Sequence, residues 1–392
     1  MTRTTGPADA RGGFLRVPGK SRPQDSRRAN RSLLLQELFT RGALSRADLA
    51  RISGLTRPTV SKVIGQLLED GIVRELAPED EAAPPAQQPA RAGKKGIRVA
   101  IRDDELNVIA LDLSSPTHAL GARTDLRGRL LDTAEFPWNG ATGERAIEIV
   151  QTLIMRLRSG AAQTLATGIA VPGIVSGDGY VRMGVRLGWH DVALSDRLTA
   201  ATGIPTYASN DSQTIALGVH AYGAPVESAR RSLMAVTIEH GVGAGFILDG
   251  MLFQGSQYAA GEFGHVTVDP DGPACLCGRR GCLDAIASAP QLRSRLEATG
   301  TERRAQELRS AGGALGLILA PIVSALDLDE VVVCGPADLV EGEFLRAAID
   351  GIRSRNLDSV SHDVSMRYAG SGHEAALTGA TALVLSKTLG IA

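Results

Sequence analysis

The sequence predicts a mixed α/β protein, with an N-terminal winged helix-turn-helix followed by a larger α/β region of two lobes. Three observations lead there. Between Arg31 and Leu68 apolar residues recur at helical spacing, interrupted by Gly42 and Gly54. Two short apolar strands follow, and from Asn107 onward buried-type strands alternate with amphipathic helices, in an order that starts again near Ser232.

A chain of 392 residues with 43% hydrophobic content can fill two or three cores. The formal net charge of -1 gives no nucleic-acid signal by itself, so the distribution of charge matters. Arg3, Arg11, Arg16, Lys20, Arg22, Arg27, Arg28 and Arg31 stand against only Asp9 and Asp25, which makes the N-terminus a local basic patch. No apolar run approaches the roughly 20 residues of a membrane span and no secretory segment is present, so a cytoplasmic location is expected.

Residues 1–29 are rich in Gly, Pro, Arg and Ser and are expected to be a flexible basic arm. Residues 30–102 are expected to form the winged module. Leu34, Leu35 and Leu38 give its first helix, which Gly42 stops. Ser45 is placed to accept from the amide of Asp48 at the start of a second helix carrying Leu49 and Ile52, and Gly54 ends it. Thr56 and Pro58 open a third helix whose buried face is Val60, Ile64, Leu67 and Leu68. A helix, a short glycine turn and a polar-faced helix make a helix-turn-helix. Ile72–Leu76 and Ile97–Ile101 read as the strands of a wing, joined by a long segment with a basic end. Ser45, Arg57, Thr59, Ser61 and Lys62, with Lys94 and Lys95 on the wing, are the candidate DNA-contacting residues, because arginine suits guanine edges and lysine or serine suits phosphates.

The larger region, 103–392, divides at about 103–222 and 223–370, and a last helix from Glu374 to Leu389 packs back. Strands are expected at 108–113, 167–171 and 233–238, an amphipathic helix from Glu144 to Ser159, a glycine-rich loop at Gly241–Gly245 and a hairpin at Asp249-Gly250. Asn210-Asp211 follows a strand and opens a helix, which places an amide and a carboxylate at the mouth of a cleft. Sugar hydroxyls need such paired donors and acceptors, since each hydroxyl both gives and accepts.

The most specific motif is Gly264-His265 followed by Gly272-Pro273-Ala274-Cys275-Leu276-Cys277-Gly278-Arg279-Arg280-Gly281-Cys282. His265, Cys275, Cys277 and Cys282 can converge on Zn2+ in a closed tetrahedral site with no position left for a bound water, which is a structural zinc. Cys275 and Cys277 are too close in sequence for an ordinary disulfide. Cys334, after Val331-Val332-Val333, is expected to be a buried small apolar residue.

Glu262-Phe263-Gly264-His265, the Cys-x-Cys-Gly-x-x-Gly-Cys-Leu-Asp run and Ser288 together resemble the signature of the ROK family, which contains repressors and sugar kinases. The resemblance covers the chain from about Arg31 and implies an actin-like, sugar-kinase fold (ASKHA, with ribonuclease H-like lobes). It implies that Asp211 stands where the family's kinases keep a catalytic base, that Glu262 and His265 contact sugar, and that His265 also binds zinc. Asp284 stands where the family commonly has Glu. The kinases' Asp-x-Gly-Gly-Thr turn is replaced here by Asp112-Leu113-Ser114-Ser115-Pro116-Thr117, in which both glycines are gone and Pro116 lacks an amide. In the second glycine segment, Glu239 and His240 replace a small polar lead-in.

Together these readings predict a sugar-responsive transcriptional repressor that binds double-stranded operator DNA, expected as an inverted repeat, from a homodimer or homotetramer. A sugar or sugar-phosphate effector would release it. Asn210, Asp211, Glu262, His265 and Asp284 are its expected ligand residues, and no catalysis is expected. The alternative is an active sugar kinase with an added DNA-binding domain, and a third reading is a zinc-stabilised scaffold that has lost its ligand.

Overall fold

The computed structural model describes residues 23–76, 96–158, 163–223, 232–299, 303–357 and 364–391. Lys94, Lys95 and most of the expected arm lie outside them. Helix α1 (Pro23–Arg41) begins inside the stretch expected to be a flexible arm, so the expected boundary between residues 29 and 30 falls within a helix. Pro23 suits the first turn, where an amide proton has no partner, and residues 26–29 face solvent, so no apolar stripe marks this part of the helix. Leu34, Leu35 and Leu38 are buried as expected.

Helix α2 (Arg46–Ser53) starts on Ser45, which accepts from the Asp48 amide, and ends on the left-handed Gly54; α3 (Arg57–Glu69) starts on Thr56, which accepts from the Thr59 amide. Val60, Val63, Ile64 and Leu67 form its buried face, while Leu68 is only half-buried. The wing strands β2 (Val73–Glu75) and β3 (Arg98–Ile101) are joined by a strand the sequence did not announce, β1 (Leu44–Ser45), in the order β1-β3-β2. Two residues are too few to carry an alternating pattern.

The first lobe holds β4 (Leu106–Asp112), β5 (His118–Thr124), β6 (Leu130–Pro137), α4 (Gly143–Leu157), β7 (Gln163–Val171), a small sheet of β8 (Ile174–Val175), β9 (Val181–Gly184) and β10 (Trp189–Val192), then α5 (Leu194–Thr202), β11 (Thr206–Asn210) and α6 (Asp211–Tyr222). The second holds β12 (Leu233–Ile238), β13 (Val242–Leu248), β14 (Met251–Phe253), α7 (Leu283–Ala287), α8 (Ala289–Thr299), α9 (Arg304–Leu326), β15 (Glu330–Cys334), α10 (Ala337–Val340), α11 (Glu343–Arg353) and β16 (Ser365–Tyr368), and α12 (Gly372–Thr388) closes the chain. Sheet order is β11-β7-β4-β5-β6 in one lobe and β14-β13-β12-β15-β16 in the other. In each, an antiparallel meander of three strands is extended by two parallel strands. The second sheet repeats the first, as the recurring order of the sequence suggested.

Two expectations need correction here. The segment expected as a glycine-rich loop is mostly strand: Val242 to Gly245 lie in β13, and only a tight turn, closed by the Glu239 amide on the Gly241 carbonyl, precedes it. A Cβ on Gly245 would fall 2.4 Å from the Ser212 carbonyl, so this glycine serves close packing of β13 on α6. Helix α9 is also long and apolar enough, by length and composition, to cross a membrane. It is instead the core helix of the second lobe, burying Leu308, Ala311, Leu315, Leu319 and Val323 and packing on α11.

Candidate functional site

Polar side chains from both lobes come together around the start of α6. On the first lobe, β11 ends at Asn210 and α6 begins at Asp211. Asn210 is buried and committed on both sides: its Oδ1 accepts from the Gln213 amide at 3.0 Å, and its Nδ2 donates to the Gly173 carbonyl at 2.9 Å. It is thus the helix cap that a strand-to-helix turn needs, and it also ties α6 to the loop after β7. Asp211 accepts from the Ser212 amide at 2.8 Å. Desolvation pushes its pKa up to about 7; the Ser212 amide opposes the rise, Asp112 and Glu262 add to it, and Arg186 opposes it. A carboxyl group titrating near neutrality can hold or release a proton on a neighbouring hydroxyl.

On the second lobe, Glu262 precedes a one-turn 3-10 helix, Phe263–His265. A Cβ on Gly264 would lie 2.1 Å from the Val242 carbonyl, so only glycine lets this turn press against β13. The carboxylate of Asp284, on α7, accepts from the Val242 amide at 2.8 Å and so fastens α7 to the same strand. Burial raises the pKa of both Glu262 and Asp284, and each is partly relieved by His265. Asp211 and Glu262 are thus close enough for Glu262 to raise the pKa of Asp211, while Asp284 already spends one oxygen on the fold.

His265, Cys275, Cys277 and Cys282 come together with their ligand atoms all within 4.8 Å of one another. Cys277 Sγ and Cys282 Sγ are 3.6 Å apart, and Cys275 Sγ is 3.5 Å from His265 Nδ1. These match the edges of a tetrahedron with bonds of about 2.3 Å to sulfur and about 2.0 Å to nitrogen, and they exceed the about 2.05 Å of a disulfide. The donor set fits a zinc ion. The loop is shaped for it: the Cys275 amide donates to the Arg279 carbonyl, the Gly278 amide to the Cys275 carbonyl, and Cys282 immediately precedes α7. Cys334 is fully buried on β15, apart from this cluster.

The first strand turn, where the family's kinases keep two glycines, joins Asp112 to side chains that sequence reasoning missed. Asp112 is fully buried; its Oδ1 accepts from the Ser114 amide at 2.8 Å and its Oδ2 pairs with His373 Nδ1 at 2.6 Å. The Arg186 guanidinium donates to the Leu113 and Ser115 carbonyls, and Trp138 Nε1 donates to the Ser115 carbonyl at 2.9 Å. Burial lowers the pKa of Arg186, with Asp211 and Asp112 opposing. Glu239, the departure noted in the second glycine segment, accepts from the Gly372 amide at 2.9 Å. No local motif marks Arg186 or His373, because their partners lie 71 and 261 positions away.

On the winged module, Arg57, Ser61 and Lys62 are exposed on α3 and have no ion pair among the described residues. Other arginines nearby are internally engaged, Arg46 with Glu75 and Arg51 with Asp48. Thr59 shares a hydrogen bond with the Thr56 hydroxyl at 2.9 Å. Ser45 both donates to and accepts from Asp48, so its hydroxyl is spent as a cap rather than left free for DNA.

Fold and site define a class: a winged helix-turn-helix joined to a duplicated, kinase-like two-lobed domain with a Cys3His cluster at its cleft. The ROK family pattern matches residues 108–387 and a winged helix-turn-helix DNA-binding pattern matches residues 27–74. The chain belongs to the ROK family. It is 26% identical over 275 residues to a xylose repressor of Bacillus subtilis, covering 69% of this chain and 68% of that one. It is 28% identical over 295 residues to a glucokinase of Halalkalibacterium halodurans, covering 66% and 88%. A crystal structure of a ROK family transcriptional regulator, a homologue of the E. coli Mlc protein, superposes with a TM-score of 0.76 at 19% identity, covering 93% of this chain and 99% of that one, which extends the shared fold through the winged module.

Proposed function

We propose that this chain is a sugar-responsive transcriptional repressor: α3 reads operator DNA, and a sugar bound between the lobes releases it. The observation that carries the reading is the union, in one chain, of an exposed Arg57, Ser61 and Lys62 face, without ion pairs among the described residues, with Asn210 and the neighbouring carboxyl groups of Asp211 and Glu262 where the lobes meet. Hydroxyl groups would exchange hydrogen bonds with Asp211, Glu262 and the free N–H of Asn210, with His265 and Asp284 flanking. Binding shifts the lobes only through unequal affinity for their open and closed arrangements, and operator affinity then changes by the same coupling free energy, typically about 1–3 kcal/mol. His265, Cys275, Cys277 and Cys282 would hold a structural zinc, which fixes the turn that carries Glu262 and supplies no bound water. A soluble cytoplasmic location and a symmetric oligomer on an inverted repeat complete the proposal.

The test is titration calorimetry with xylose, glucose, N-acetylglucosamine and glucose 6-phosphate, paired with mobility-shift assays on the DNA upstream of the protein's own gene. Binding of one sugar that weakens the DNA complex is expected, with Asp211→Asn needing far more of it for release. Unchanged sugar affinity in both Asp211→Asn and Glu262→Gln would move the effector site elsewhere. A second reading, an active sugar kinase, is favoured by the near-neutral pKa of Asp211. Against it stands the sequence of the first turn, which lacks both kinase glycines, with Arg186 bonded to the Ser115 carbonyl and His373 to Asp112 beside it. Sugar-dependent ATP consumption in a coupled assay would establish the kinase.

A further inference from the structure

Helix α12 runs from the meeting point of the lobes to the core shared with the winged module. Its first turn lies in the cleft, where the Gly372 amide donates to Glu239 of the second lobe and His373 pairs with Asp112 of the first. Its middle crosses α6, the helix that starts at Asp211, so closely that a Cβ on Gly379 would fall 1.9 Å from the Thr214 carbonyl. It is tied to β5 by a buried hydrogen bond of 2.8 Å between Thr381 and Thr124. Its last turn enters another core: Val384, Leu385, Leu389 and Ile391 share one buried cluster with Leu34, Leu35, Leu38, Leu49 and Leu67 of the winged module. A helix of 17 residues is about 25 Å long. It therefore reaches from the cleft to the DNA-reading module.

We propose that His373 is a positioning residue of the effector switch: its ion pair with Asp112, beside the Glu239–Gly372 hydrogen bond, clamps the first turn of α12 between the lobes, and α12 transmits their movement to the winged module. The switch itself rests on the function proposed above, but the clamp is a property of the ligand-free protein. His373 is faced by Asp112 from β4 and by Glu239 and His240 from the turn between β12 and β13; the His240 and His373 rings are 6.4 Å apart. The hydrogen bond to Asp112 raises the pKa of His373 against desolvation. A raised imidazole pKa means that the clamp is fully charged below the unfolded value and is lost as pH rises through the folded value.

Hydrogen–deuterium exchange on the full-length protein without ligand tests this, read at about pH 6 and about pH 8.5 after correction for intrinsic exchange. In the wild type, protection at the first turn of α12 and in α1 should both fall at the higher pH, as the charged form of the His373–Asp112 pair is lost. In His373→Gln both should be low and independent of pH, while Asp112→Asn, which keeps an acceptor but no charge, should also lose the pH dependence. Should Asp112→Asn fail to fold, His373→Gln decides alone, since that side chain is partly exposed. Wild-type α1 protection that ignores pH, or a His373→Gln change confined to the first turn of α12, would overturn the proposal. The sugar titrations are independent of this result: a pH-dependent clamp in a protein that binds no sugar would leave the clamp standing and remove the effector reading.

Discussion

At the scale of single residues, Asp211 ties function to stability. Its folded pKa of about 7 stands above the ordinary 3.8, so the folded chain holds this proton more tightly than the unfolded chain does. The carboxyl group therefore costs nothing in acid, costs progressively more as pH rises above 3.8, and reaches its full cost above about 7. Asp211→Asn should raise the melting temperature, with a larger gain at about pH 8 than at about pH 5, while weakening the response to sugar. Equal gains at both values, measured by scanning calorimetry, would show that the carboxyl group is not held out of water. Asn210 and Asp211 were legible because a polar pair between strand and helix is a local pattern. Their environment was not, since Asp112, Arg186 and Glu262 reach Asp211 only through the fold.

At the scale of elements, local chemistry made most starts and stops readable: Ser45 and Thr56 cap their helices, and Gly42 and Gly54 end theirs. What escaped was structure whose cause is distant. β1 exists because β3 pairs with it, and Val242 to Gly245 form strand because β12 and β14 flank them. For α3, Arg57→Ala should weaken operator binding by about 1–3 kcal/mol and relax base preference, whereas Lys62→Ala should weaken all sequences more evenly and flatten the salt dependence. Equal operator affinity of the wild type and the double variant, at one fixed salt concentration, would refute the assignment. For the Cys3His loop, Cys277→Ser removes one donor from a closed set and should lower both bound zinc and thermal stability. Elemental analysis finding no zinc in wild-type protein prepared without chelator would refute the metal.

At the scale of the whole molecule, the winged module does not have a core of its own. Leu34, Leu35 and Leu38 are buried together with Val108, Leu126 and Ala166 of the first lobe and Leu385 of α12. Leu35→Ala should cost about 2–5 kcal/mol and shift the unfolding of module and lobe together. A separate, early calorimetric transition for the module would contradict this. The sequence suggested a tail packing back but not this shared cluster, because its members come from opposite ends of the chain. The junction is fastened on the outside as well. Arg127 donates to the Phe39 carbonyl, lies 4.2 Å over the Phe39 ring and pairs with Asp103, while Arg74 reaches Asp104 and Glu105. A reading head fixed this firmly moves with the first lobe and α12, so in a symmetric assembly the distance and helical phase between two heads would be set by the protein and not by a slack tether. DNA carrying two half-sites would then be measured as by a rigid gauge: about 5 extra base pairs between them, half a helical turn, should abolish joint binding, and about 10 should restore the phase but not the reach.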